Sequence, residues 1–120
     1  MSKIMIVDDE QDLREMLRFM MENEGFETMM AEDGDDFLDK LDSFQPDLVT
    51  LDVMMPGLTT SEILEKLKGR RCNPKIILLT VVRFSEEEKD RLFKMGNIVD
   101  YIPKPFEFDD LMNAVKKHVQ

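Results

Sequence analysis

Cysteine is nearly missing from this chain: Cys72 stands alone among 120 residues. That excludes an internal disulfide and any cysteine metal cluster. Cys72 falls in a basic, proline-containing loop and reads as a bystander, and a reducing, intracellular setting fits such usage. Long apolar runs are missing too. No stretch approaches the roughly 18 residues of a membrane span, and MSKIMIVDDE leads into a strand with acids behind it rather than into a secretory signal. Positive charge is scarce, with 16 Lys+Arg against 26 Asp+Glu and a formal net charge of −10. Phosphate contacts need a basic face, so direct nucleic-acid binding by this chain is not expected. The local basic run Lys66, Lys68, Arg70, Arg71 and Lys75 reads as a solvated helix end complementing the helix dipole. Repeats, low-complexity segments and linkers are also lacking. The expectation is a single domain over residues 1–120, large enough for a real core, with no room after the last helix for a second.

What is present is an alternation of strand and helix signals. Lys3–Val7 is a continuous apolar run, as a strand covered on both faces should be. Gln11 to Asn23 carries Leu13, Met16, Leu17 and Met20 on one helical face and stops at Gly25. Glu27–Ala31 is a shorter, less apolar strand suited to a sheet edge. Asp35 to Ser43 is a helix with Phe37, Leu38 and Leu41 inward, and Leu48–Leu51 is the third strand. Thr60 or Ser61 caps a helix whose apolar face is Ile63, Leu64 and Leu67, ending near Gly69. Ile76–Leu79 is the most apolar run and therefore a central strand. Ser85 and Glu88 form a capping box for a helix running to about Met95. Val99–Ile102 is the fifth strand, and a last helix has Asp109 and Asp110 in its first turn and Lys116, Lys117 and His118 in its last. The 11 methionines fall mostly at core-like spacing and read as soft packing. Five such βα units imply a parallel sheet with helices on both faces, because each crossover is right-handed.

In a parallel sheet all carboxyl ends share one edge, where open α/β sheets hold their ligands. Asp8 and Asp9, Asp52, Thr80 and Lys104 follow four of the five strands and so meet there. Two carboxylates about 5 Å apart repel by roughly 3 kcal/mol at an effective dielectric near 20, so a cation must offset them. Lys104 is one candidate. The other is a hard divalent cation with oxygen ligands, for which magnesium is the natural choice. Each residue also has a plainer reading: Asp8 and Asp9 as a helix start, Asp52 as a turn residue before Pro56, Lys104 as a loop lysine beside Pro105.

Four ordered motifs, IMIVDDE, LVTLDVMMPG, IILLT and DYIPKPF, cover nearly the whole chain. On them the chain resembles the receiver domain of two-component response regulators. The resemblance implies a flavodoxin-like (βα)5 fold, doubly wound, with strand order 2-1-3-4-5. It implies that Asp52 is the phosphoacceptor, taking phosphate from a sensor histidine kinase or a histidine phosphotransfer protein as an acyl phosphate. Asp8 and Asp9 would bind magnesium together with Asp52 and the backbone carbonyl of Met54. Thr80 and Lys104 would meet the phosphoryl oxygens, Tyr101 would move with Thr80 between exposed and buried positions, and Lys104–Pro105 would be a cis peptide. Such a protein is a cytoplasmic switch, a monomer or a phosphorylation-dependent dimer. It acts on an output protein through the face carrying the fourth helix, fifth strand and fifth helix, and catalyses only its own phosphorylation and dephosphorylation.

The chain departs from the family pattern in three places. Thr59–Thr60 stands where receivers carry Asp-Gly or Asn-Gly, leaving the start of the next helix open. Val81 replaces a small residue, and a branched side chain there would narrow access to an acyl phosphate. Gly96 to Tyr101 is one residue longer than usual, so a bulge or changed register is expected. Three competing functions are weaker. A haloacid-dehalogenase-like phosphohydrolase would want an acid where Met54 stands. A flavin carrier would not place Asp8-Asp9-Glu10 in its phosphate loop. A degenerate, phosphorylation-independent adaptor would not need all five site residues.

Overall fold

The computed structural model describes residues 2–119; Met1 and Gln120, the ends of the expected 1–120 domain, lie outside the described residues. Strands β1 (Lys3–Val7), β2 (Glu27–Ala31), β3 (Leu48–Leu51), β4 (Lys75–Thr80) and β5 (Ile98–Pro103) alternate with helices α1 (Gln11–Asn23), α2 (Gly34–Phe44), α3 (Thr60–Leu67), α4 (Glu86–Lys94) and α5 (Phe108–Val119). All strand pairs are parallel, and the order is β2-β1-β3-β4-β5. This is the flavodoxin-like arrangement the motifs imply. The less apolar β2 lies at an edge and the apolar β4 lies inside, because only an interior strand must be covered on both faces.

Strand side chains alternate between two cores. Met5, Val7, Val49, Leu51, Ile76 and Leu78 face a core closed by Phe37, Leu41, Ile63, Leu64 and Leu67 of α2 and α3. Ile4, Ile6, Leu48, Ile77 and Leu79 face the opposite core, closed by Leu17 and Met21 of α1 and Leu111, Met112 and Val115 of α5. α4 contributes no fully buried side chain. It is therefore the least anchored helix, resting on the sheet through partly buried Leu92.

Several boundaries and orientations differ from those expected. In α1 the inward pair is Leu17 and Met21, while Met16 is 43% exposed; the helix rolls so that Met21, four residues after Leu17, takes the core position. α2 begins at Gly34 because the Asp33 carboxylate caps it by accepting the Asp36 N–H. α3 is capped by Thr59, not by Thr60 or Ser61. Thr59 and Glu62 bond each other's backbone N–H groups in a capping box, the same device that Ser85 and Glu88 provide for α4. Glu62 supplies the acid three residues after the cap, and only Thr59 has that spacing.

The long Gly96–Tyr101 segment does contain a bulge. Ile76 pairs with Ile98 and Ile77 with Asp100, leaving Val99 as the extra residue. Gly96 and Asn97 precede it at φ +93° and +71°, a left-handed turn that glycine and asparagine adopt most readily. Asn97 is held there by its side-chain amide, which donates to the Pro74 carbonyl at 3.0 Å. In the basic run, Arg70 lies 3.6 Å from Asp42 and Lys68 3.0 Å from Glu65, while Lys75 donates to the carbonyl of His118 in the last turn of α5. Cys72 is half-buried, and burial, aided by Asp42 and Asp47, pushes its thiol pKa up, away from reactivity.

Candidate functional site

Asp8, Asp52 and Lys104 share one construction. Each is the first residue beyond its strand, yet its backbone N–H still bonds to a neighbouring strand's terminal carbonyl. Asp8 donates to Ala31 at 3.2 Å, Asp52 to Val7 at 3.1 Å and Lys104 to Thr80 at 2.8 Å. The sheet ladder thus positions these side chains at its carboxyl edge with the precision of a strand rather than of a loop. Asp8, Asp52 and Thr80 are buried, at 2%, 6% and 0% exposure, whereas Asp9 is exposed.

Lys104 lies between the two buried acids. Its ammonium donates to Asp8 Oδ2 at 2.7 Å and to Asp52 Oδ2 at 3.1 Å. Burial alone would lower the lysine's pKa; the hydrogen bonds and negative charge of Asp8 and Asp52 outweigh it and raise the pKa above the usual value. Lys104 is therefore held as a cation. The other carboxylate oxygens are also engaged: Asp52 Oδ1 accepts the Met54 N–H and Asp8 Oδ1 accepts the Glu10 N–H, both at 3.0 Å. Asp8 does not cap α1, whose N-cap Glu10 has no side-chain cap hydrogen bond; one of its oxygens holds the Glu10 N–H in the turn before the helix and the other meets Lys104. Among the described residues no buried side-chain polar atom lacks a partner.

Asp8, Asp9 and Asp52 each present a carboxylate oxygen within 4.8 Å of the others. This all-oxygen donor set at a cleft mouth fits a hard divalent cation such as magnesium, which binds through a few carboxylates and keeps several waters. Met54 lies two residues beyond Asp52 with its side chain 58% exposed, leaving its backbone as the part nearest the acid. Thr80 Oγ1 accepts the Val82 N–H at 3.2 Å. Tyr101 is half-buried and turned inward, its hydroxyl donating to the Val82 carbonyl. Phe84 packs edge-on against its ring at 5.7 Å, and the Lys89 ammonium lies 5.1 Å from the ring centroid. Val82 therefore touches both Thr80 and Tyr101. The Lys104–Pro105 peptide is cis, and Val81, beside Thr80, is 55% exposed.

Two cations escape a reading of motifs. Arg14, in the second turn of α1, donates to the Asp8 carbonyl at 2.6 Å and so fixes the acid loop from behind. Arg83 reaches the Lys104 carbonyl at 3.4 Å and straps the β4–α4 loop to the β5–α5 loop. Only the helical repeat that points Arg14 back toward the end of β1 hints at the first; nothing local signals the second.

A doubly wound sheet whose carboxyl edge gathers three aspartates, two of them bonded to one lysine, defines the class. The chain belongs to the response regulator receiver domain family, whose family model matches residues 4–116. It is thus the receiver of a two-component system, a signalling switch rather than a turnover enzyme. It is 34% identical over 117 residues to sporulation initiation phosphotransferase F of Bacillus subtilis, covering 98% of this chain and 93% of that protein. It is 33% identical to the alkaline phosphatase synthesis transcriptional regulatory protein PhoP of the same organism, covering 95% of this chain but 47% of that longer protein. Among solved structures it is similar to the response regulator TrrA of Thermotoga maritima in complex with Mg2+ and BeF, at 38% identity, TM-score 0.80 and 98% coverage of both chains. It is also similar to the chemotaxis protein CheY4 of Vibrio cholerae, at 27% identity and TM-score 0.88, covering 98% of both chains.

No helix among the described residues is long and apolar enough to cross a membrane.

Proposed function

We propose that this receiver is switched by phosphorylation of Asp52, in the cytoplasm, by a sensor histidine kinase or a histidine phosphotransfer protein. One observation carries the reading: Asp52 is buried at the sheet edge with Lys104 on one oxygen and two further acids within 4.8 Å. An Asp52 carboxylate oxygen attacks phosphorus, the phosphorus–nitrogen bond of the donor's phosphohistidine breaks, and the electron pair leaves with the imidazole. Asp8, Asp9, Asp52 and the Met54 carbonyl would hold the magnesium ion, which neutralises charge on the equatorial phosphoryl oxygens. Lys104, already cationic, pairs with one phosphoryl oxygen in exchange for its two carboxylates. Thr80 turns its hydroxyl from accepting the Val82 N–H to donating to another.

That exchange reaches the output face through Val82. Thr80 and Tyr101 hold opposite ends of the same residue, so moving one changes the other's hydrogen bond. α4, with no fully buried side chain, is the element most readily displaced. The α4-β5-α5 face then regulates a partner by population shift, as a monomer or through a phosphorylation-dependent dimer. On the delivery side, the donor must cover the rim of the cleft. Met54 and Val81 are exposed beside Asp52 and Thr80, and Met16 and Phe19 are exposed on α1, supplying apolar surface for that encounter.

The test is modification of Asp52. Acetyl phosphate or beryllofluoride with magnesium should add one group, located at Asp52 by mass, and chelation or Asp52→Asn should abolish it. Modification that persists in Asp52→Asn, or that never occurs at any magnesium concentration, refutes the proposal.

A further inference from the structure

The segment that carries Lys104 also forms one wall of a groove of about 440 Å³ between β5 and α5. Buried Ile102 and half-buried Phe106 and Ala114 form its floor, and exposed Pro103 and Pro105 stand on its wall with Asp100, Glu107 and Asp110 around it. Pro103 and Pro105 have no N–H, so this wall offers no backbone donor at those two positions. Asp100 is paired with His118 at 3.3 Å. Glu107 and Asp110 have no ion-pair partner among the described residues. Glu107, just before α5, and Asp110, in its first turn, are both exposed and both line the groove. An apolar floor under a rim of acceptors suits a side chain with an aliphatic stem and a cationic head.

We infer that this groove docks a basic segment of the output protein, an arginine or lysine head between Glu107 and Asp110 with apolar neighbours on Phe106 and the prolines. Charge complementarity and the apolar floor select that occupant over an acidic or wholly apolar one. The inference names the partner chemistry of the proposed output face, and one clause of it rests on the phosphoacceptor reading. Lys104 lies between Pro103 and Pro105, so its exchange from Asp8 and Asp52 to a phosphoryl group would move this wall. Docking and phosphorylation would then be coupled, each altering the other's affinity by the same factor.

The test is an NMR titration of the isotope-labelled chain with a short synthetic peptide alternating arginine and leucine, against a glutamate–leucine counterpart. The arginine peptide should shift resonances from Asp100 to Ala114. Its affinity should fall at least about tenfold in the folded Glu107→Lys/Asp110→Lys double variant, which is ~1.4 kcal/mol. Asp35→Lys/Asp39→Lys on α2, equal in charge change, should leave it unaltered. Equal loss in both variants, equal binding of both peptides, or no binding overturns the docking. Repeating the titration with beryllofluoride and magnesium separates the two claims. If Asp52 takes no adduct while the peptide still binds, the phosphoacceptor reading fails and the docking stands. An adduct that leaves peptide affinity unchanged overturns the coupling.

Discussion

Replacing Lys104 with methionine keeps the length of the side chain and removes its charge from between Asp8 and Asp52. The contacts of 2.7 and 3.1 Å correspond to roughly 6 and 5 kcal/mol of Coulomb attraction at an effective dielectric near 20. Against this stands the cost of desolvating the ammonium, several kcal/mol for a side chain only 14% exposed. What the variant then faces is the uncompensated repulsion of carboxylates within 4.8 Å of each other, about 3 kcal/mol per pair at the same dielectric. Leaving a buried charge without its partner costs about 3–5 kcal/mol in general. Lys104→Met should therefore lower unfolding free energy by about 3 kcal/mol in the presence of a chelator, at the low end because Asp9 is exposed to solvent. Magnesium supplies the missing positive charge, so the deficit should shrink as magnesium is titrated. The variant should also bind the ion about tenfold more tightly, since no ammonium competes for the same oxygens, a gain of ~1.4 kcal/mol. Urea unfolding at neutral pH, with chelator and then with increasing magnesium, measures both effects. A variant as stable as the parent without magnesium, or a deficit that saturating magnesium leaves untouched, would refute the view that Lys104 is what makes this acid cluster tolerable.

Other consequences can be tested separately. Gly34 starts α2 where a Cβ would lie 2.8 Å from Ile63 Cδ1 and 3.1 Å from Leu58 Cβ. Gly34→Ala should destabilise by about 1–3 kcal/mol through overpacking, read by urea unfolding, and wild-type stability would show that the β3–α3 loop yields freely. Thr59→Ala removes the α3 cap and should cost about 1 kcal/mol by the same assay. The backbone N–H of Ser85, then its side chain, lowers the Glu88 carboxyl below its usual value, despite an opposing desolvation effect. Glu88 thus contributes stability above the ordinary glutamate range, and this is lost as pH falls through the lowered folded value. Glu88→Gln should flatten that part of the acid limb in a series of thermal melts. Val81→Ala, which trims an exposed branched side chain beside Thr80, should speed both labelling of Asp52 by acetyl phosphate and loss of the phosphoryl group to water. Unchanged rates would show that Val81 does not screen the cleft.

The order and kind of the ten elements could be read locally, because apolar periodicity and the placement of glycine, proline and capping residues are properties of short stretches. The same holds for Asp8, Asp52, Thr80 and Lys104 as residues at or just beyond strand ends, and hence for their shared edge once the strands are taken as parallel. Even the surplus residue before Tyr101 was countable. Its outcome, Val99 left out of the ladder, was not, since a bulge, a longer turn and a slipped register satisfy the same count.

What only the tertiary structure decided are relations between residues far apart in sequence. Lys104 and Asp8 are 96 residues apart and meet at 2.7 Å. No local pattern specifies which carboxylate oxygens the ammonium takes and which remain with backbone N–H groups. The roll of α1, which exposes Met16 and buries Met21, depends on how the helix lies across β1 and β2, and a wide apolar stripe permits several such rolls. Arg14 and Arg83 found carbonyl partners through the packing of helices and loops. The physical reason is the range of the forces that decide each feature. Backbone stereochemistry and side-chain periodicity act within a few residues and set the elements, whereas charge pairing and side-chain packing act across whatever the fold has brought together.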